Sequence, residues 1–355
     1  RYCEGFCPVF PALERRSTFT AADLHYLANL CHNCGECLYA CQYAPPHEFG
    51  IHVPRTLGEI RQRSYEHYCW PRPLGVAFRA NGLATALGLA TALTLVLLAS
   101  TAVFNPGALT QGSTGAEFYA VVPHGTMVAL FGGVFAFVLV ALAIGVRRFR
   151  NDTWRDFTKI EQSHQVSFSW RPVRDALPLR YLPGGGVDCA PAEETRRPWR
   201  RWFHHCTFYG FALCFASTSV AAVYHLFFGW EAPYSYGSLP VILGSLGGLG
   251  LLVGPAGLLV VRTRRDPALG VPGQEGQDDA FVVLLFMTSL TGLVLLIARH
   301  EPTMPALLVV HLGFVLALFV TLPYGKFVHG LYRTAALVRF AREEEAGQAA
   351  GSRVS

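Results

Sequence analysis

ALLVVHLGFVLALFVTLPYGKFVHGLYR, residues 306–333, settles the class of molecule. No charged residue occurs between Ala306 and Gly325, and a helix of about 20 apolar residues crosses the hydrocarbon core of a bilayer. Five more blocks of this character lie upstream, at roughly Asn81–Phe104, Tyr119–Val146, Trp202–Phe228, Leu239–Val261 and Ala280–Ala298, and the sixth is Ala306–Phe327. A chain of 355 residues with 52% hydrophobic and only 15% charged residues reads as a membrane protein rather than as two or three soluble domains.

The charges support a topology. Arg147, Arg148, Arg150, Arg196, Arg197, Arg200 and Arg201 follow the second block, and Arg262, Arg264 and Arg265 follow the fourth. The stretches Asn105–Phe118, Gly229–Ser238 and His300–Pro305 carry almost no basic residue. Basic loops stay on the cytoplasmic side, so the expected placement is a bacterial inner membrane, crossed six times, with both termini and the Lys326–Arg342 segment in the cytoplasm. The net charge of +5 is thereby used up as topology, and no nucleic-acid partner is expected.

Ionisable groups inside spans are costly and mark function. His311 and His329 are 18 positions apart, which on one continuous helix is five turns and about 27 Å, so both rings share a face. The third block offers His204 or His205 at its inner end and His225 at its outer end. His204 and His225 lie about 60° from a common face, and His205 and His225 about 160° apart. Run antiparallel, the two helices pair His225 with His311 near the outer surface, and His204 or His205 with His329 near the cytoplasm. Neutral imidazole is a good iron ligand, so two bis-histidine b-type haems are expected. His124 and His300 are further histidines at the outer boundary. Pro323 is expected to kink the last helix just before His329.

The remaining signal lies in CHNCGECLYAC, residues 31–41. Cys31, Cys34, Cys37 and Cys41 have the spacing in which three thiolates grip one cubane and the fourth reaches to another cluster. Upstream, RYCEGFCP places Cys3 and Cys7 before Pro8, as at the end of the same motif, whose first two cysteines would precede Arg1. Cys7 would then complete the cluster of Cys31, Cys34 and Cys37, while Cys3 and Cys41 serve a second [4Fe-4S] cluster. Gln42 stands where this motif usually has proline. Zinc also accepts four cysteines, but its pairs are usually separated by a longer insert. Cys69, Cys189, Cys206 and Cys214 have no partner at ligand spacing and receive no role.

The expected fold is therefore all-α: a small α-helical ferredoxin-like iron–sulfur domain over residues 1–79, then a six-helix transmembrane bundle of cytochrome b type over 80–340. Within it residues 149–201 form a cytoplasmic loop, and residues 341–355 a solvated cytoplasmic tail starting near Glu343. Ala21–Leu30 and Arg55–Tyr68 have helical patterns within the first domain.

Three segments carry a resemblance: RYCEGFCPVFPA, LANLCHNCGECLYACQYAPPHEFGIHVP, and the closing LPYGKFVHGLYR. Together with the six apolar blocks they resemble the tricarballylate utilization protein B family, also called CitB or the CobZ C-terminal type, over essentially the whole chain. The resemblance implies two [4Fe-4S] clusters and b-type haem. It also implies an FAD-dependent partner dehydrogenase of the tricarballylate dehydrogenase type, whose reduced flavin is reoxidised toward the membrane quinone pool. In that reading the chain is the electron-transfer subunit of a flavoprotein:quinone oxidoreductase system, with no catalytic acid, base or nucleophile of its own. A membrane-bound iron–sulfur redox sensor or assembly protein is the alternative, although no output module follows Phe340. A transporter would need acidic or broken helices at midplane.

Overall fold

The structure, a computed structural model, describes residues 5, 7–110, 118–155, 170–182, 199–271, 273 and 275–351, and every regular element among them is helical. Five helices precede the bundle: α1 (Val9–Glu14), α2 (Ala21–Leu30), α3 (Glu36–Tyr39), α4 (Val53–Tyr68) and α5 (Arg72–Ala80). α2 starts at a capping box, in which the Thr20 side chain accepts from the Asp23 N–H and Asp23 accepts from the Thr20 N–H. Such a box satisfies two otherwise orphaned donors. α4 carries Leu57, Arg61, Ser64, Tyr65 and Tyr68 at three- and four-residue spacing, and this buried face packs on α2.

Six helices are long and apolar enough to cross a membrane. They are α6 (Gly82–Phe104), α9 (His124–Thr153), α11 (Trp199–Phe228), α12 (Leu239–Thr263), α13 (Glu275–Ile297) and α14 (Met304–Thr321), with the short α7 (Gly107–Thr110), α8 (Phe118–Val121) and α10 (Arg171–Ala176) between them. α15 (Val328–Gly351) ends the described chain. α14 is the central span, packed on α6, α13 and α9. Its Gly313 lets α6 approach so closely that a Cβ there would overlap Thr94. α11 and α12 meet through another close approach: a Cβ at Gly210 would lie 2.9 Å from the Gly247 carbonyl, and one at Gly247 would lie 2.8 Å from Cys214 Sγ. Small residues substitute for a hydrophobic driving force that lipid cannot supply, which accounts for Cys214 as a packing residue.

Two expectations are corrected. The last apolar block does not continue as one helix to His329. It stops at Thr321, because Pro323 has no N–H to give and its ring collides with the preceding turn. The Thr321 carbonyl instead accepts from the N–H groups of Tyr324 (3.0 Å) and Gly325 (2.9 Å), and α15 restarts at Val328. His311 and His329 therefore sit on separate helices, and the five-turn phase relation does not apply. The expected solvated tail is also not solvated at its start. α15 runs to Gly351, and Glu343 is partly buried in an ion network with Arg16 (2.5 Å) and Arg339 (2.7 Å). A Glu-rich run looks solvated in sequence until arginines from just after α1 and from the preceding helical turn close over it.

The cysteine-bearing region does not close its own core. Val9, Tyr26, Leu30, Leu57 and Tyr68 share one buried cluster with Phe149 of α9 and with Tyr332, Leu337 and Phe340 of α15. Phe149 and Tyr332 stack at 4.9 Å and 13°. Within the 149–201 connection, α10 and the turn that follows pack on α15, and residues 156–169 and 183–198 lie outside the described residues.

Candidate functional site

α2 ends at Cys31, and the chain then turns sharply through two residues with positive φ, Asn33 (53°) and Gly35 (94°). Left-handed backbone at Gly35 needs glycine, and a Cβ would also meet Leu269 at 2.8 Å. The turn brings Cys31, Cys34 and Cys37 around one cavity, and Cys7, from the chain just before α1, completes its wall among Val9, Phe10 and Leu57. All four thiols are free of disulfides. Burial pushes Cys7 up to about 12 and raises Cys34 as well, so these thiols give up their protons only to a metal that repays the cost. Among the described residues, no three His, Cys, Asp or Glu side chains converge on a point as a single ion requires. The four thiols surround a volume instead, a donor set that fits a cubane with one iron per corner. The Asn33 N–H donates to Cys31 Sγ at 3.4 Å, as a ligand thiolate would need. Cys41 lies beyond α3 and outside this cavity. Cys3 and Cys189 lie outside the described residues.

The backbone of this turn is gripped by arginines from four elements. Arg61 of α4 and Arg333 of α15 both donate to the Cys31 carbonyl, at 2.8 and 2.9 Å. Arg200 of α11 reaches the carbonyls of His32 (3.4 Å) and Asn33 (3.2 Å), and Arg265, after α12, also donates to Asn33 O. Burial and the neighbouring Arg61 push Arg333 down to about 10, an opposition that an anionic cluster would relieve. His32 is buried, with Nδ1 donating to Leu30 O at 2.9 Å, and burial with Arg333 keeps its ring neutral.

One turn along the same two helices, the histidines meet. His204 follows Arg200 by four residues on α11, and His329 precedes Arg333 by four on α15, so each helix places an arginine and a histidine on one face. The rings of His204 and His329 stand 5.9 Å apart at 78°. Two imidazoles on opposite sides of one iron, at about 2 Å per bond, have ring centres roughly 6 Å apart. His329 Nδ1 donates to the Lys326 carbonyl, which leaves Nε2 as the lone-pair nitrogen. Burial, then Arg333 and His204, hold the His329 ring well below its usual pKa and hence neutral. His204 Nδ1 is buried with no hydrogen-bond partner among the described residues. His205 points elsewhere and stacks on Tyr209 at 5.7 Å, so of the two candidates His204 faces α15. Lys326 pairs with Asp278 at 2.7 Å.

The outer histidines are arranged differently. His225 stacks on His124 at 3.7 Å and 28°, too close to admit an iron between the rings. His311 Nδ1 lies 3.1 Å from Thr291 Oγ1, with the ring over Gly292. Depth along α11 and α14 suggested a His225–His311 pair, but α9 presents His124 at the same depth and takes up His225. His300 Nε2 accepts from Arg299 at 3.2 Å.

The arginine clamp is what sequence reading missed. Arg200 and Arg265 were visible only as markers of the basic side, and Arg61 and Arg333 had no signal beyond helical spacing that places Arg333 one turn from His329.

Comparison with known proteins gives the family. The family described as citrate utilization protein B matches residues 79–351, and its Fer4-like domain matches residues 1–67. A protein from Escherichia coli described as citrate utilization protein B is 47% identical over 360 residues, covering 99% of this chain and 91% of its own length. No solved structure matches the chain. With both family segments present in order and a full-length relative at this identity, the chain belongs to the citrate utilization protein B family.

Proposed function

We propose that the chain is a membrane electron-transfer protein that takes electrons from a soluble FAD-dependent dehydrogenase and delivers them to quinone in a bacterial inner membrane. The observation that carries this reading is the pairing of Arg200 with His204 and of His329 with Arg333. Two helices grip the cysteine turn with one residue and face each other through an imidazole one turn away.

Cys7, Cys31, Cys34 and Cys37 hold one [4Fe-4S] cluster, and Cys41 with Cys3 serves a second. His204 and His329 hold a b-type haem on the cysteine side of the bundle. These groups supply one-electron relay chemistry, and the protein supplies distance, orientation and field. The four arginines fix the turn against the bundle and oppose the negative charge of thiolate-bound clusters. The Lys326 carbonyl orients His329, while the apolar wall of Val9, Phe10 and Leu57 keeps water from the cluster. The six long apolar helices support an acceptor in the bilayer, and the Arg-rich connections support a cytoplasmic cysteine turn. The family name points to tricarboxylic acid utilization as the setting.

Purified full-length protein tests the reading. Iron and acid-labile sulfide with a rhombic electron paramagnetic signal after dithionite, together with a reducible b-type Soret and α band, are expected. A preparation with clusters but no b-type spectrum under anaerobic, haem-replete expression would sink the haem assignment, and reduced clusters that fail to pass electrons to a quinone analogue would sink the acceptor.

A further inference from the structure

A second cavity, of about 640 Å³, opens between the α4–α5 turn and the last turns of α9. Three guanidiniums line it, Arg72, Arg148 and Arg155, against one carboxylate, Asp152. That carboxylate is engaged from within: the Tyr68 hydroxyl donates to Asp152 at 2.6 Å, and Tyr68 is in turn bonded to His25 Nδ1 at 2.8 Å. Arg148 is fixed at the wall by donating to the Cys69 carbonyl at 3.0 Å. Among the described residues, guanidiniums outnumber carboxylates in this lining.

Its depth is set by the spans on either side. The apolar run of α9 ends at Val146, so Arg148 stands at the first polar level beyond the hydrocarbon. α5 leads directly into α6 at Gly82, and its Leu74 and Val76 are exposed beside Arg72 and Arg79, as on a helix lying at the membrane surface. Trp70, an interfacial residue type, lines the same cavity. A quinone carbonyl can accept from one guanidinium but brings no charge, and a phosphocholine headgroup offsets its phosphate with its own ammonium, so neither answers a lining of three guanidiniums as a net anion does. A phosphate does, because each planar fork matches its oxygens.

We infer that this cavity is a binding site for a phosphate group, supplied by an anionic phospholipid of the membrane in which the bundle sits. A bound headgroup would bridge α5 and α9 at the place where Tyr68 and His25 join the cysteine-bearing region to the bundle.

Native mass spectrometry of the full-length protein in detergent, offered phosphatidylglycerol, cardiolipin or phosphatidylcholine, tests this. The anionic lipids are expected to be retained over phosphatidylcholine, and Arg72→Gln or Arg155→Gln to weaken retention about fivefold each. Arg147→Gln, on the same helix but not in the cavity, should change nothing. If Arg148→Gln misfolds by losing Cys69, Arg148→Lys keeps the charge and is expected to retain most of the lipid. A second arm offers inorganic phosphate: arginine-dependent displacement of lipid by phosphate supports the phosphate site and identifies a soluble source, whereas no displacement assigns it to lipid. Equal retention of phosphatidylcholine, or unchanged retention in the arginine variants, overturns the proposal.

Discussion

The two ends of the bundle hold similar residues in different states. At the cysteine end, His204 and His329 are held apart at 5.9 Å, and the His329 ring is oriented by a backbone carbonyl. At the far end, His124 and His225 lie face to face at 3.7 Å, and His311 is hydrogen-bonded to Thr291. Histidine content and depth are alike at both ends, so neither distinguishes them. The difference comes from what surrounds the rings. At the cysteine end four arginines converge on the cysteine turn, and two of them, Arg200 and Arg333, belong to the helices that carry the facing histidines, which ties the gap between the rings to the turn. Among the described residues the far end has no such cluster of arginines on a turn, and His124 and His225 fill the space by stacking. A ligand site thus needs a frame that keeps its donors separated, and a cluster of donors alone does not provide one.

The comparison breaks most visibly at the cysteines. Cys34→Ser, or Cys31→Ser, is expected to remove about four irons per chain and to loosen the turn that the arginines hold. Metal analysis reads the loss directly, and unchanged iron would show that the cavity is not the cluster site.

Next in size is the contrast between the ends. His329→Ala and His204→Ala should each abolish the b-type absorption assigned to the inner pair, while His225→Ala should leave that band intact. A band lost in His225→Ala instead would move the haem to the outer end. Two bands in the parent, one lost in each variant, would restore a ligand role to the outer histidines.

Much of this was legible beforehand, and the reason differs by feature. Six spans follow from apolar length, which only a bilayer demands, and Cys31, Cys34 and Cys37 follow from a spacing short enough to be local. The expected partner of His329 was His204 or His205, and the ring that stands 5.9 Å from it is His204, although the expectation rested on a continuous last helix that Pro323 breaks. The clamp could not be read, because Arg61, Arg200, Arg265 and Arg333 come from four distant segments and meet only after the bundle has formed. Arg200 and Arg265 had already been accounted for by the positive-inside tendency, and one role concealed another. Glu343 was misread for the same reason: its partner Arg16 is 327 residues away.

Removing a clamp charge while leaving ligands in place sharpens the comparison further. Arg333→Gln should shift the cluster midpoint to lower potential, because a buried positive charge favours the more negative, reduced cluster. Arg333→Lys should recover part of the shift but less of the geometry, since one ammonium cannot reproduce the guanidinium fork. The readout is a redox titration followed by electron paramagnetic resonance, and an unmoved midpoint in Arg333→Gln would reduce the clamp to a purely mechanical role.

The smallest expected effect concerns the edge of the same region, where α1 and α2 meet α15. Burial alone would raise the Asp23 carboxyl, but hydrogen bonds from Arg16, at 2.8 Å, and from Thr20 outweigh it and hold the group below the usual carboxylate range. A carboxyl with a depressed folded pKa binds fewer protons folded than unfolded. Its contribution is complete above the unfolded value of about 4 and is lost as pH falls through the folded one. Thermal unfolding should therefore show the parent losing stability in acid more steeply than Asp23→Asn, with the gap between them widest at neutral pH and closing below about pH 4. Because Arg16 and Arg339 also bind Glu343, the variant retains part of the network and the gap stays modest. Parallel curves for parent and variant across this range would show that the Asp23 contact does not help hold the cysteine-bearing region against α15.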